Sequence, residues 1–261
     1  MPAAASVWRW FYRAFSRGYF RLERLSGVPV DGAVPLLMCL WNRPERIEDI
    51  LGELVAQDAG VPLRVVFWNN RTKDAARYRR AIRHADVSAN GSGRMSVEFV
   101  NSPVNMGGVA RFFVASKLRR GGYRGPFIML DDDEVVPTNF VSRLLSVAGA
   151  RVVAGFWSFR LDGAYWNREF LDDGERADYV GTGGSVCDID IVAEHDFFSL
   201  LPSQYAFMED QWMSDYAARC GWSLKKVDLD IEFVMNETNQ AHNFVYKKEE
   251  FYSYLHRDDP R

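Results

Sequence analysis
A chain of 261 residues, 48% of them apolar, is long enough to bury a large core in one domain. Its 32 Lys and Arg against 35 Asp and Glu leave a net charge of −3, which argues against nucleic acid as a general partner. Cys39, Cys187 and Cys220 are odd in number and lack CxxC spacing, which excludes a disulfide framework and a zinc knuckle and suits a reducing compartment.

No uncharged stretch approaches the roughly 20 apolar residues of a membrane span, and arginines interrupt the first segment where a signal peptide needs its apolar core. A cytoplasmic location is therefore expected. Residues 1–26 read as an amphipathic helix. From Val7 to Leu25, Trp8, Phe11, Tyr12, Phe15, Tyr19 and Leu22 share one face, opposite Arg9, Arg13, Arg17, Arg21 and Arg24. Trp10 and Phe20 fall on the arginine side. Two readings suit such a stripe. It can lie aromatic side down on an anionic membrane, making the protein peripheral on the inner membrane face, or dock on the protein's own core or on a second subunit of a homo-oligomer. Gly27 to Gly32 reads as a linker.

From Val34 the pattern becomes regular. Val34 to Leu40 reads as a buried strand, and Pro44 opens a helix with Ile47, Ile50, Leu51, Leu54 and Val55 at helical spacing. Leu63 to Trp68 is a second strand, Lys73 to Ala85 a helix, Asn90 to Gly93 a turn and Val97 to Val100 a third strand. Val109 to Leu118 gives a helix, Phe127 to Leu130 the fourth strand and Phe140 to Ala148 another helix. This alternation predicts an α/β fold, a mostly parallel sheet flanked by helices, with ligands bound at the carboxyl ends of the strands.

Those ends are polar. The first finishes in Trp41, Asn42 and Arg43, and the second in Asn69 and Asn70. The third leads to Asn105, Gly107 and Gly108, with Arg111 one turn inside the next helix, and the fourth ends in Asp131, Asp132, Asp133 and Glu134. Trp41 suits stacking on a base, Asn69 or Asn70 a hydrogen bond to base or ribose, and the paired glycines a close approach of backbone N–H groups to phosphate. An apolar strand running into carboxylates suits Mg²⁺ or Mn²⁺ holding a phosphate, although the same acids also favour a helix N-terminus. Together the ends describe a nucleotide cleft.

In the second half, Val152 to Phe159 reads as one strand, followed by a polar, aromatic loop to Tyr179. Gly181, Gly183 and Gly184 then require a tight turn or a close approach to a ligand, or mark a plain strand with bulges. Glu209 and Asp210 open a helix that ends at Gly221.

These ordered motifs resemble the inverting glycosyltransferases of the GT-A fold, family 2 type, over roughly Val34 to Val227. Asn42, Arg43 and Pro44 look like the family's opening, Asn105 to Gly108 with Arg111 like its asparagine and glycine loop, Leu130 to Pro137 like its DXD strand, and Glu209 with Asp210 like its late acidic pair. The resemblance implies a GT-A domain over 33–240, with a nucleotide-sugar half at 33–136, an acceptor half at 137–240 and a tail at 241–261. It implies Asp131 and Asp133 on a Mn²⁺ or Mg²⁺ ion, with His242 a candidate third ligand, and Asp131 and Asp132 serving the donor's ribose and diphosphate. Asp210 would be the catalytic base. The activity implied is hexosyltransferase-like: one sugar passes from a nucleotide-diphosphate sugar, a UDP-sugar foremost, to a hydroxyl of a glycan or lipid-linked acceptor. The signature of processive polymer synthases is missing. The alternative is a catalytically silent nucleotide-sugar binder or membrane-recruited scaffold, which would keep the cleft without needing Asp210.

Overall fold
The computed structural model describes residues 2–85, 95–194, 196–234 and 245–257. Helix α1 (Pro2–Ser16) is followed by the short strand β1 (Glu23–Ser26), then β2 (Val34–Leu40), α2 (Ile47–Val55), β3 (Leu63–Asn69), α3 (Ala75–His84), β4 (Met95–Asn101), α4 (Ala110–Arg120) and β5 (Pro126–Asp131). The expected turn at Asn90 to Gly93 lies outside the described residues. Strands β4, β3, β2 and β5 lie side by side and parallel. Both faces of this sheet are covered, which is why β2 is buried at every position and reads as an unbroken apolar run.

The chain then runs through β6 (Glu134–Val135), α5 (Phe140–Val147), β7 (Val152–Gly155), β8 (Ser158–Leu161), β9 (Arg168–Phe170), β10 (Tyr179–Val180), β11 (Ser185–Asp188), α6 (Asp196–Ser199), α7 (Glu209–Arg219), β12 (Ser223–Lys226), β13 (Glu232–Phe233) and α8 (Val245–Leu255). Strand β11 pairs antiparallel with both β5 and β7, and β12 closes the far edge parallel to β7. The result is an eight-stranded, mostly parallel sheet in the order β1-β4-β3-β2-β5-β11-β7-β12. The α/β expectation describes it.

Three segments differ from expectation. The single strand expected over Val152 to Phe159 is two strands in different sheets. Ser158 Oγ donates to Gly155 O at 2.8 Å and closes a turn, after which β8 pairs with β10 and β9 instead. Residues 241–261, expected as a tail, contain α8, whose Phe251 and Tyr252 are buried in the core.

The helix expected from Val7 to Leu25 stops at Ser16. Gly18, at φ 81°, turns the chain, and Glu23 to Ser26 pair antiparallel with β4. The aromatic stripe of α1 docks on the protein itself. Trp8 stacks on Phe207, Phe15 meets Trp68 and Phe113, and the Tyr12 hydroxyl donates to Phe198 O at 3.0 Å. Tyr19, beyond the helix end, is exposed.

Candidate active site
The parallel strands finish in register, Leu40 opposite Asn69, Asn69 opposite Asn101 and Cys39 opposite Asp131. Between β2 and β5 the strand order reverses direction, and in open α/β sheets a crevice forms at that point outside the carboxyl ends. Trp41 to Arg43 and Asp131 to Asp133 meet there. Asn42 adopts φ 64°, a left-handed conformation that asparagine tolerates better than most residues, and it turns the chain at the end of β2. Trp41 is exposed, while Arg43 is buried.

The three aspartates occupy different environments. Asp132 is turned inward: Trp41 N donates to its Oδ2 at 2.7 Å and Arg43 Nη1 to its Oδ1 at 2.9 Å. Burial pushes its carboxyl up to about 6 despite these partners. Asp131 and Asp133 keep 39% and 24% of their side-chain surface in solvent, so these two can meet a ligand. Asp133 pairs with Arg43 Nη2 at 3.1 Å, and Asp131 with Arg111. Glu134 lies behind the turn and accepts the Asp131 N–H at 2.9 Å; burial, then the Asp133 charge, raises its carboxyl to about 8.

Arg111 ties the two ends of the site together. From the first turn of α4 it reaches Asp131, Thr182 Oγ1 at 3.0 Å and Glu209 Oε1 at 3.2 Å, and is itself buried. This packing explains two glycines. A Cβ on Gly108 would stand 1.7 Å from Glu209 Oε1, and one on Gly183 would stand 2.3 Å from Glu134 Oε1 and 2.8 Å from Asp131 Oδ2. The close approach expected in the Gly181 to Gly184 segment is thus to the chain's own carboxylates. Gly108→Ala is expected to destabilise the fold by about 1–3 kcal/mol through overpacking, read as a lower thermal midpoint.

Asn69, Asn70 and Asn105 all line this rim with their side chains engaged. Asn69 Nδ2 donates to Asn101 Oδ1 and Arg71 O, and Asn70 receives Met106 N and donates to Gly107 O. The Gly107 N–H, expected near a phosphate, donates to Asn105 Oδ1 at 2.8 Å. These contacts set the shape of the loop. By contrast, Arg43 Nε and Arg111 Nε are buried without a hydrogen-bond partner.

Asp210 opens α7 beside Glu209. Its Oδ2 accepts from the Tyr179 hydroxyl at 2.5 Å and from Lys248 Nζ at 3.1 Å, and its Oδ1 from Gln211 N at 2.8 Å. Burial raises its pKa, but the Lys248 charge and these hydrogen bonds outweigh it and hold the carboxyl below the ordinary range. Glu209, with burial and the Asp210 charge against it, is pushed up to about 7. The adjacent acids are therefore driven apart, one ionised and one near neutrality. Lys248 also donates to Tyr165 Oη at 3.2 Å and was not singled out from sequence, where it stands in a charged KKEE run. Its signal was the helical spacing to Tyr252 and Leu255. Tyr179 and Thr182 were also missed as side chains of the site, hidden in a glycine-rich segment.

Among the described residues, no three His, Cys, Asp or Glu side chains stand together as a metal site. His242 lies outside the described residues. Asp131 and Asp133 nevertheless fit a cation of the Mg²⁺ type, which needs one or two carboxylates with phosphates and water completing its shell. Val234 N donates to Asp133 O at 2.8 Å, and β13 pairs with β6, so β13 lies against the acidic turn.

No protein-family model and no curated protein sequence matches the chain. Among solved structures, it is similar to the mannosyltransferase PcManGT from Pyrobaculum calidifontis in complex with GDP-Man and Mn²⁺. That likeness has a TM-score of 0.51 and 15% identity, over 88% of this chain and 64% of that one. It is also similar to an apo structure of the bifunctional glycosyltransferase WbbM, at a TM-score of 0.47 and 15% identity, over 78% of this chain and 40% of that one. The chain thus spans less than two thirds of the length of either. What the first of these likenesses establishes is the fold, a mixed α/β domain built on a large, mostly parallel sheet flanked by helices.

Proposed function
We propose that the chain is a metal-dependent inverting glycosyltransferase of the GT-A type, moving one sugar from a nucleotide-diphosphate sugar to a hydroxyl of a glycan or lipid-linked acceptor. The observation that carries this reading is the junction at the sheet's switch point. Solvent-accessible Asp131 and Asp133 pair with Arg111 and Arg43 respectively, and Arg111 connects Asp131 to Glu209, the chain neighbour of the ionised Asp210. A fold shared with a GDP-Man-bound enzyme is in keeping with it.

In this reading Asp131 and Asp133 would hold Mn²⁺ or Mg²⁺, with His242 as a further ligand, and the bound ion would supply stabilisation of negative charge on the leaving diphosphate. Arg43 and Arg111 hold the two carboxylates in place. Trp41 gives the base a ring to stack on, and the loops held by Asn69, Asn70 and Asn105 shape the pocket around it. Asp210 takes the proton of the acceptor hydroxyl as that oxygen attacks the anomeric carbon, and Glu209 stays with Arg111. A single displacement inverts the anomeric centre.

The test is incubation with a panel of nucleotide sugars and Mn²⁺, following released nucleoside diphosphate. Release from one donor is expected, and it should stop when EDTA removes the metal. No release from any donor, with or without acceptor glycans, would count against the reading. A pH profile adds a second check. Asp210 must be ionised to accept a proton, and its pKa lies below the ordinary range because of Lys248. The acid limb of the rate should therefore fall only at low pH, and in Lys248→Met it should move to higher pH.

A further inference from the structure
The docked face of α1 leaves its other face outward, and that face is cationic. Arg9, Arg13 and Arg17 are exposed, stand four residues apart and make no ion pair among the described residues. No acidic residue precedes Glu23, so nothing within the segment offsets them. Like charges one turn apart repel, and an external anion relieves that repulsion. The three arginines rim a groove of about 350 Å³ between α1 and the Phe198 to Ser203 segment, with Ser199 and Ser203 on its far wall. Two large apolar side chains project from the same region: Trp10, on the arginine side of the helix, is 62% exposed, and Leu200, between groove residues Ser199 and Leu201, is 59% exposed.

We infer that this face binds a bilayer surface carrying anionic phospholipid, with the arginines at the headgroup phosphates and Trp10 and Leu200 in the interface. The orientation is the reverse of what the helical wheel suggests, because Trp8, Tyr12 and Phe15 are spent on the protein core. A nucleic acid would use the guanidinium groups but gives Leu200 nothing to bury against, whereas an interface takes both. The chain as a whole is acidic, so the patch is a local feature. The inference does not depend on sugar transfer.

The experiment is flotation of the full chain with phosphatidylcholine vesicles, with and without phosphatidylglycerol. Binding is expected only to the anionic vesicles and should weaken with added salt. Arg9→Gln, Arg13→Gln and Arg17→Gln should each reduce partitioning roughly fivefold, and together by on the order of a hundredfold. These side chains are exposed and form no ion pair among the described residues, so an unchanged thermal midpoint serves as the folding control. Brominated lipid should quench tryptophan fluorescence in the wild type, and Trp10→Phe should remove most of that quenching. Equal binding to neutral vesicles, full binding by the triple variant, or tighter binding to duplex DNA than to vesicles would overturn the inference. Quenching that persists in Trp10→Phe would overturn the orientation.

Discussion

Asp210→Asn is expected to lower the rate of sugar transfer by about 10²–10⁴-fold while leaving donor affinity nearly unchanged. The amide keeps the size, and its one oxygen can still accept from Tyr179 and Lys248, at the loss of the Gln211 N–H bond to the second oxygen. What is lost is a group able to take the acceptor's proton. Steady-state kinetics should show the change in kcat, and calorimetry with the nucleoside diphosphate should show little. An unchanged kcat would remove Asp210 from the mechanism and favour a donor-binding protein without catalysis. Glu209→Gln tests a different property. Glu209 is buried against Arg111, so its replacement should disturb the donor side and the fold as well as the rate.

Arg111→Met should destabilise the protein by about 3–5 kcal/mol, because it leaves Glu209 buried without its cation and Asp131 without its partner. For a domain of this size that corresponds to a thermal midpoint lower by roughly 10 °C. Arg111→Lys should recover little of the loss, since one ammonium cannot reach Asp131, Thr182 and Glu209 in the fork geometry of the guanidinium. If Arg111→Met melted like the wild type, Arg111 would not be the residue joining the two acidic clusters.

The central sheet was legible because β2, β3, β4 and β5 are buried on both faces and show as apolar runs ending in polar residues. The position of the acidic motif was legible for the same reason: it terminates one of those runs. The division of labour among its aspartates was not. Three identical residues in a row give no sign that Asp132 turns inward to Arg43 while its neighbours face solvent; a tight turn between β5 and β6 decides that. The loop-holding contacts of the asparagines were not legible either, since an amide at a strand end suits a base or a neighbouring loop equally well, and all three bond to neighbouring loops or strands.

The first helix shows the limit of an amphipathic pattern. An aromatic stripe states that a face will be covered, but not by what. The covering surface comes from Phe113, Phe198 and Phe207, far away in the chain. Lys248 was missed because its partner Asp210 lies 38 residues earlier and no local pattern joins them.

Titration calorimetry of nucleoside diphosphates in the presence of Mn²⁺, on the wild type and on Asp131→Asn with Asp133→Asn, bears most directly on the junction of β2 and β5 as a nucleotide-sugar site. The account predicts binding of at least one nucleoside diphosphate that requires the metal and is lost in the double variant, while the variant still melts cooperatively, Arg43 keeping Asp132 and Arg111 keeping Glu209. Binding of the same strength in the double variant, or no binding by the wild type to any nucleoside diphosphate, would contradict it.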